Sequence, residues 1–311
     1  MEKTKVKKKK KIHWARFIPI YIMMLPGLAY LIINNFLPMF GVVIAFKDLN
    51  FRKGILASDW AGFDNFKYLF ATKDAWTITR NTLGYNILFI ILATVIGVAL
   101  AILLNEVRAK LSLKVFMTCI LIPYLLSYVI VNYLAYAYLA PDTGLINNTI
   151  LKAFGMDGIS WYTAPQYWPY IIVFVYIWKS IGYAMVLYYS SILGISQEYY
   201  EAAALDGATK WQQIKNVTLP LLKPTIITLF ILNVGRIFNS DFGLFYQVTR
   251  NSGMLYSTTR TIDVYVYNAL MNNNDYAMSS AASVYQSVVG CITLIVANFI
   301  IRKVQPEDAM F

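Results

Sequence analysis

Four long windows without a charged residue constrain the fold of this chain more than any other feature. They cover residues 17–46, 81–105, 115–141 and 276–301. Each is long enough to cross a hydrocarbon core, which takes about 20 apolar residues in a helix. Backbone N–H and C=O groups must be paired inside lipid, and the windows lack the short alternation of barrel strands. We therefore expect membrane-spanning helices rather than a β-barrel.

Two further apolar segments, at about 169–193 and 222–245, are interrupted by the charged residues Lys179 and Arg236. The composition agrees with a membrane protein, because only 14% of the 311 residues are charged, whereas soluble domains carry about a quarter. The sequence thus predicts an all-α membrane protein with six transmembrane helices in one domain, residues 17–303.

The two chain ends are predicted to be cytoplasmic tails, a basic one at 1–16 and a short one at 304–311. The apolar stretch after the lysine run at 7–11 is about 30 residues long, whereas the apolar part of a signal peptide spans roughly 7–15. We therefore expect an uncleaved first helix in a multi-pass protein of the plasma membrane. The basic tail places the N-terminus inside. Nucleic-acid binding is a weaker explanation for the net charge of +11.

The residue inventory argues against an enzyme. Cys119 and Cys291 lie inside predicted spans without CxxC spacing, and the single histidine, His13, lies in the basic tail. The chain has no G-x-x-x-x-G-K-[ST] phosphate loop. It also has no metal-ligand cluster and no nucleophile–base pair. We therefore expect no metal, no catalytic residue and no cofactor bound by this chain.

The connection between the fourth and fifth spans has the signals of two short helices. Ser196 can cap a first helix that runs through Leu205, because a serine oxygen accepts from the free amides of the opening turn. Gly207 allows a backbone conformation that other residues avoid and would end that helix. Thr209 and Gln212 have the spacing of a capping box, which predicts a second helix.

This connection, residues 196–220, is more organised than a simple linker requires. Pro220 and Pro224 are expected to mark the start of the fifth span. Glu201 and the two alanines after it present small side chains beside one acid, a surface that a partner's groove can approach closely. We call residues 196–220 the coupling loop and expect it to dock on a protein outside the membrane.

The coupling loop resembles the EAA loop in the membrane-spanning permease subunits of binding-protein-dependent ABC importers. In that motif a Glu-Ala-Ala triplet, a glycine and a Leu-Pro pair have fixed spacing. The matching positions are Glu201, Ala202, Ala203, Asp206, Gly207, Val217, Leu219 and Pro220. Asp206 is typical of the carbohydrate-uptake family, and residues 262–267 and 281–298 are similar to its polysaccharide and oligosaccharide branch.

The resemblance implies the type I ABC importer fold and a set of partners. The EAA helix would dock into a cytoplasmic ATPase dimer, which binds ATP-Mg and drives the switch between inward and outward access. A second permease subunit, either a related chain or a second copy of this one, would complete the pathway. An extracytoplasmic solute-binding protein would capture the cargo, because no outer loop of this chain is long enough to form a binding domain.

Polar residues inside the fourth and fifth spans are the candidates for the substrate pathway. Ionisable side chains in a membrane are costly and generally face a bundle interior or a water cavity. Helical spacing predicts one set of polar residues on a single face of the fourth span and another on a single face of the fifth. The first set is Tyr176, Lys179, Ser180 and Tyr183, and the second is Asn233, Arg236 and Ser240. In the resembling family, these two helices line the solute site.

The two cations in these sets have two possible roles, and the nature of the cargo depends on which one applies. Lys179 and Arg236 could bind an anionic oligosaccharide, carrying uronate or sulfate, through charge-assisted hydrogen bonds. They could instead pair with Asp241 or backbone carbonyls, or extend to an interface. Another solute, such as an amino acid, peptide or phosphonate, is a further alternative. An ion-coupled secondary transporter is a more distant one, because the chain lacks the internal repeat typical of that class.

Overall fold

The computed structural model describes residues 17–50 and 52–304. The basic tail predicted at 1–16, with its His13, lies outside the described residues, as do residues 305–311 of the C-terminal tail.

Ten helices of eight or more residues account for most of the described chain. They are α1 (Ile18–Phe46), α2 (Asp64–Ala71), α3 (Lys73–Asn105), α4 (Lys110–Leu125), α5 (Tyr128–Leu139), α6 (Trp168–Leu193), α7 (Gln197–Leu205), α8 (Lys210–Val234), α9 (Ile262–Met271) and α10 (Tyr276–Val304). Short helical turns cover Gly54–Ala57, Ile146–Leu151, Trp161–Thr163, Pro165–Tyr167, Gly243–Val248, Gly253–Leu255 and Tyr256–Thr259. Two short strands, β1 (Lys47–Asp48) and β2 (Asp59–Trp60), pair antiparallel with Lys47 opposite Trp60.

Helix α1 contacts the rest of the chain mainly through its last turns. Every side chain from 18 to 39 is exposed, whereas the segment Phe40–Phe46 packs against α10. Phe46 then stacks on Trp60, with ring centroids 6.0 Å apart, and Asn65 donates to the carbonyl of Ala45 at 2.9 Å. The first helix is therefore anchored at one end by the loop that follows it.

The centre of the bundle is built by α3 and α6, which lie side by side along their length. Trp168 and Ile172 of α6 are fully buried and pack with Phe89 of α3 and with Phe245. Helix α4 approaches α6 where Gly182 has no side chain, since an added Cβ would lie 2.4 Å from a backbone carbonyl oxygen. Small residues allow such close helix contacts in membranes.

The third predicted span, 115–141, is broken in the structure. Helices α4 and α5 meet at an angle of 97°, so this window forms two helices rather than one continuous helix, and the six-span count holds where the bent pair is taken as one span. Leu126 has extended backbone, and the Ser127 hydroxyl accepts from the N–H of Ile130 at 3.4 Å. The capping serine begins a new helix because it supplies an acceptor for an otherwise free amide.

The fifth predicted span, 222–245, is shifted towards the N-terminus. Helix α8 begins at Lys210, passes through Pro220 and Pro224 and ends at Val234. The two prolines therefore lie inside the helix and do not mark its start. A π-helical turn at Ile214–Thr218 precedes them, and such local changes in pairing let a membrane helix accommodate proline.

Candidate functional site

The first helix of the coupling loop has the predicted boundaries. The Ser196 hydroxyl accepts from the N–H of Glu198 at 3.4 Å, and α7 ends at Leu205. Gly207 follows with φ +77°, a left-handed conformation that glycine adopts at little cost. The N–H of Ala208 reaches back to the carbonyl of Ala203 at 2.9 Å. This closure satisfies a carbonyl that the helix end would leave free.

The predicted capping box at the start of α8 is also present. The N–H of Thr209 donates to Gln212 Oε1 at 2.7 Å, and the N–H of Gln212 donates to the Thr209 hydroxyl at 3.4 Å. Next to it, Lys210 Nζ lies 3.3 Å from Glu106 Oε2 at the end of α3. The coupling loop is thus defined by its own caps and tied to a second helix by one ion pair.

Helix α7 has no buried residue. It touches α8 where the Tyr200 hydroxyl lies 3.0 Å from the Thr218 hydroxyl. Leu205 remains 90% exposed and Trp211 70% exposed. Of the motif positions, Glu201, Ala202, Asp206, Gly207 and Pro220 are exposed, and Ala203, Val217 and Leu219 are partly buried. Large apolar side chains that project next to small ones mark a surface suited to a protein partner.

Lys179 lies in the interior of the bundle. Its side chain is only 8% exposed, and Nζ donates to the carbonyl of Tyr124 at 2.9 Å. The ammonium group also lies 4.8 Å from the ring centre of Tyr128, whose hydroxyl donates to Asp241 Oδ2 at 2.6 Å. Of the two interpretations of Lys179, the structure shows the pairing with a backbone carbonyl.

The other three residues of the fourth-span set differ in environment although they share α6. Tyr176 stacks on Phe89 with ring centroids 3.7 Å apart. Tyr183 stacks on Tyr124 at 5.0 Å and is 49% exposed. Ser180 is partly buried between them. Only Tyr183 therefore presents a large open surface, and the aromatic ring of Tyr176 is part of the contact between α3 and α6.

The fifth-span set does not lie on one helix face. Helix α8 ends at Val234, so Asn233 is in its last turn while Arg236 and Ser240 follow in irregular backbone. The predicted shared face is therefore wrong. We call residues 235–241 the post-helix segment. The Arg236 side chain is exposed, and no hydrogen bond or ion pair joins it to any of the residues that the structure describes.

The post-helix segment is held by three polar side chains from other helices. Asp263 Oδ2 accepts from the N–H and from the hydroxyl of Ser240, both at 2.7 Å. Gln286 donates to the carbonyl of Phe238 at 2.8 Å, and Asn86 donates to the carbonyl of the preceding residue at 2.8 Å. These bonds replace the helical pairing that the backbone has lost, as burial of peptide groups requires.

These three positioning residues were not among the residues predicted from the sequence. Asn86 and Gln286 are polar residues inside charge-free windows, and Asp263 lies in the connection before the last span. Polar side chains in a membrane helix signal an interior contact. That signal was present, but the sequence does not say which backbone they reach. Among the residues that the structure describes, no group of three or more His, Cys, Asp or Glu side chains could hold a metal ion.

Comparisons with known proteins agree with this architecture. Residues 93–306 match the family described as the binding-protein-dependent transport system inner membrane component. The polygalacturonan/rhamnogalacturonan transport system permease protein YteP of Bacillus subtilis is 34% identical over 93% of this chain and 89% of its own.

Two solved structures share the fold, each with a TM-score of 0.85 and 30% identity over 94% of this chain. One is a bacterial ABC transporter involved in the import of the acidic polysaccharide alginate, and the match covers 97% of that chain. The other is a bacterial alginate ABC transporter in complex with an alginate pentasaccharide-bound periplasmic protein, with 98% of that chain covered.

Proposed function

Because this chain belongs to the binding-protein-dependent transport system inner membrane components, as the permease subunit of a carbohydrate ABC importer, we propose that its cargo is an acidic oligosaccharide. The observation that carries the proposal is the exposed Arg236 on the post-helix segment. It has no ion-pair partner among the described residues. A cation in a membrane-spanning region is costly unless it faces water or an anion.

Arg236 is suited to a carboxylate because its planar guanidinium presents two parallel N–H donors. Asp263 and Gln286 fix the backbone at Ser240 and Phe238, so the arginine side chain extends from a segment that is held in place. Lys179 plays a different part in this proposal. Its ammonium is already bonded to the Tyr124 carbonyl, so it fixes the α4–α6 contact next to the cargo.

Neutral parts of the cargo would meet the remaining residues of the two sets. Tyr183 offers an open aromatic face, and Asn233 and Ser180 offer hydrogen-bonding groups for hydroxyls. An acidic cargo also agrees with the substrates named for YteP and for the two alginate transporters, since polygalacturonan, like alginate, is built of uronic acids. Both lines of support point to a uronate oligosaccharide rather than to a neutral sugar.

The same proposal assigns the partners. The exposed surface of α7, with Glu201 and Leu205, docks on a cytoplasmic ATPase dimer that binds ATP-Mg. A second, related permease subunit completes the pathway, and an extracytoplasmic binding protein delivers the cargo. In this arrangement both chain ends lie in the cytoplasm. Support comes from the exposed, capped coupling loop and from the periplasmic protein in the alginate transporter complex.

The experiment measures uptake by the assembled importer in proteoliposomes. Trigalacturonate is compared with its carboxyl-reduced, neutral counterpart, in the wild type and in the Arg236→Gln variant. Loss of a charge-assisted hydrogen bond, about 1.5–3 kcal/mol, should reduce acidic uptake roughly 10- to 100-fold. Neutral uptake, where present, should change little. Lys152→Gln, at an exposed lysine in the loop between α5 and α6, is the matched control. Equal uptake of trigalacturonate by wild type and Arg236→Gln would contradict the acidic site.

A further inference from the structure

A cleft of about 450 Å³ opens between α3 and α6, at the end of the bundle opposite the coupling loop. Its lining combines a cation, Arg80, with the polar side chains of Asn81 and Thr258 and the apolar surface of Leu88 and Val173. No sequence motif pointed to it. A mixed lining of this kind suits a sugar, whose C–H faces pack on apolar groups while its hydroxyls and carboxylates need polar partners.

The guanidinium of Arg80 is fixed on one side and free on the other. Its Nη2 donates to the carbonyl of Ser257 at 2.6 Å and to Asn81 Oδ1 at 3.0 Å, and Nε donates to the same oxygen at 3.3 Å. Asn81 is 6% exposed and donates in turn to the carbonyl of Arg260 at 3.0 Å. Nη1 is left without a hydrogen-bond partner among the described residues.

The charge of Arg80 is also uncompensated, unlike that of the neighbouring cation. Arg260 Nη1 lies 2.9 Å from Asp74 Oδ2, and its guanidinium lies between the rings of Tyr256 and Tyr265 at 4.8 and 4.7 Å. Arg80 has no such carboxylate partner within the part of the chain that the structure describes. An anion that enters the cleft would therefore find a free N–H donor on Arg80.

The cleft lies in line with the candidate pathway. Pro169 and Val173 line it, and Tyr176 and Ser180 follow them along α6 at intervals of three and four residues. Residues with this spacing share one face of a helix. A solute group bound beside Arg80 is therefore on the same strip of α6 that leads inward to the residues of the fourth-span set.

We propose that the Arg80 cleft is a first anion site of the pathway, which receives a carboxylate of an acidic saccharide before the saccharide reaches Arg236. The proposal rests on the acidic cargo proposed above. Asn81 positions the guanidinium, Nη1 of Arg80 binds the carboxylate, and the sugar ring lies against Val173. The site offers one strong charge and few hydroxyl partners, so it selects for acidity rather than for a particular sugar.

Gly84 of α3 also lines the cleft, and a cysteine placed there tests the site without depending on transport. An added Cβ there meets no atom within 4 Å, so Gly84→Cys should leave the fold unchanged. The assembled importer, with Cys119 and Cys291 replaced by serine, is labelled with an anionic and with a cationic water-soluble thiol reagent. The Arg80 charge should favour the anionic reagent about fivefold, and Arg80→Gln should remove this preference. The matched control for charge loss is Lys152→Gln.

Protection by saccharide then identifies the occupant. Trigalacturonate should slow labelling of Gly84→Cys, its carboxyl-reduced counterpart should not, and Arg80→Gln should abolish the protection. No labelling would mean that lipid or the second permease subunit covers the cleft, and this overturns the proposal. Equal protection by both saccharides, or protection that survives Arg80→Gln, overturns it as well. Each of these failures leaves the uptake difference between wild type and Arg236→Gln as a separate test of the proposed cargo.

Discussion

The coupling loop leads into α8 and the post-helix segment follows it, but the two are held in opposite ways. The coupling loop is shaped by bonds between near neighbours, such as the Thr209–Gln212 capping box and the closure around Gly207. The post-helix segment depends on Asp263, Gln286 and Asn86, which come from other helices. The first is therefore shaped mainly by its own residues, whereas the second is fixed to the bundle.

The largest effect is expected where the local shape of the coupling loop is destroyed. Gly207→Pro cannot adopt the observed φ of +77°, because proline fixes φ near −65°. We expect the variant to insert and assemble but to lose stimulation of ATP hydrolysis by the cargo-loaded binding protein. Gly207→Asn is the control, since asparagine tolerates the left-handed region. Normal stimulation in the proline variant would contradict a role for this loop in docking.

The next largest effect should follow from releasing the post-helix segment. Asp263→Ala removes the acceptor of both Ser240 bonds, and hydrogen bonds to a charged group contribute about 1.5–3 kcal/mol each. Transport should fall at least roughly tenfold for acidic and neutral saccharides alike, and the Tm of the purified importer should drop. The exposed Asp157→Ala is the matched control. A change in acidic transport alone would instead place Asp263 at the cargo.

These two regions also show what the sequence could predict. The boundaries at Ser196, Gly207 and Thr209 were predictable because each signal acts within about four residues of itself. The end of α8 at Val234 was not, because the groups that replace its helical bonds lie far away along the chain. Asn86 is 151 positions from the carbonyl that it binds. Composition predicted the spans, but it could not locate a break that distant side chains stabilise.

The break between α4 and α5 also depends on distant residues, but part of its cause is local. Pro123 and the capping Ser127 are visible in the sequence, and both favour an interruption of the span at 115–141. The 97° angle is not visible. Tyr128, at the start of α5, packs closely against Gly243, where an added Cβ would lie 2.4 Å from the tyrosine ring. The Tyr128 hydroxyl also donates to Asp241 at the end of the post-helix segment. The sequence thus contains a signal for a break that the predicted span at 115–141 did not take into account, and packing sets its direction.

A smaller effect is expected at Gly182, where the absence of a side chain lets the backbones of α4 and α6 approach each other. Gly182→Ala places a Cβ 2.4 Å from the Ile120 carbonyl oxygen, so α4 and α6 must move apart. Overpacking of this kind costs about 1–3 kcal/mol, which should lower the Tm of the importer and weaken the Lys179–Tyr124 bond. Gly84→Ala, where the same methyl group meets nothing, is the matched control. An unchanged Tm for both variants would show that the contact relaxes freely.

The smallest effect tests how far the coupling loop depends on its own caps. Thr209→Val keeps the shape of the side chain but removes the hydroxyl that accepts from the N–H of Gln212. A lost N-cap costs about 1 kcal/mol, so the capped turn should become about fivefold less populated relative to its frayed form. ATPase stimulation should fall by a few-fold at most, with the Tm almost unchanged. Thr77→Val removes a hydroxyl that only bonds back to Lys73 on the exposed surface of α3, and it should alter neither quantity. A large loss of Tm in Thr209→Val would mean that the start of α8 supports the bundle. The coupling loop would then not be a locally held segment, and its contrast with the post-helix segment would fail.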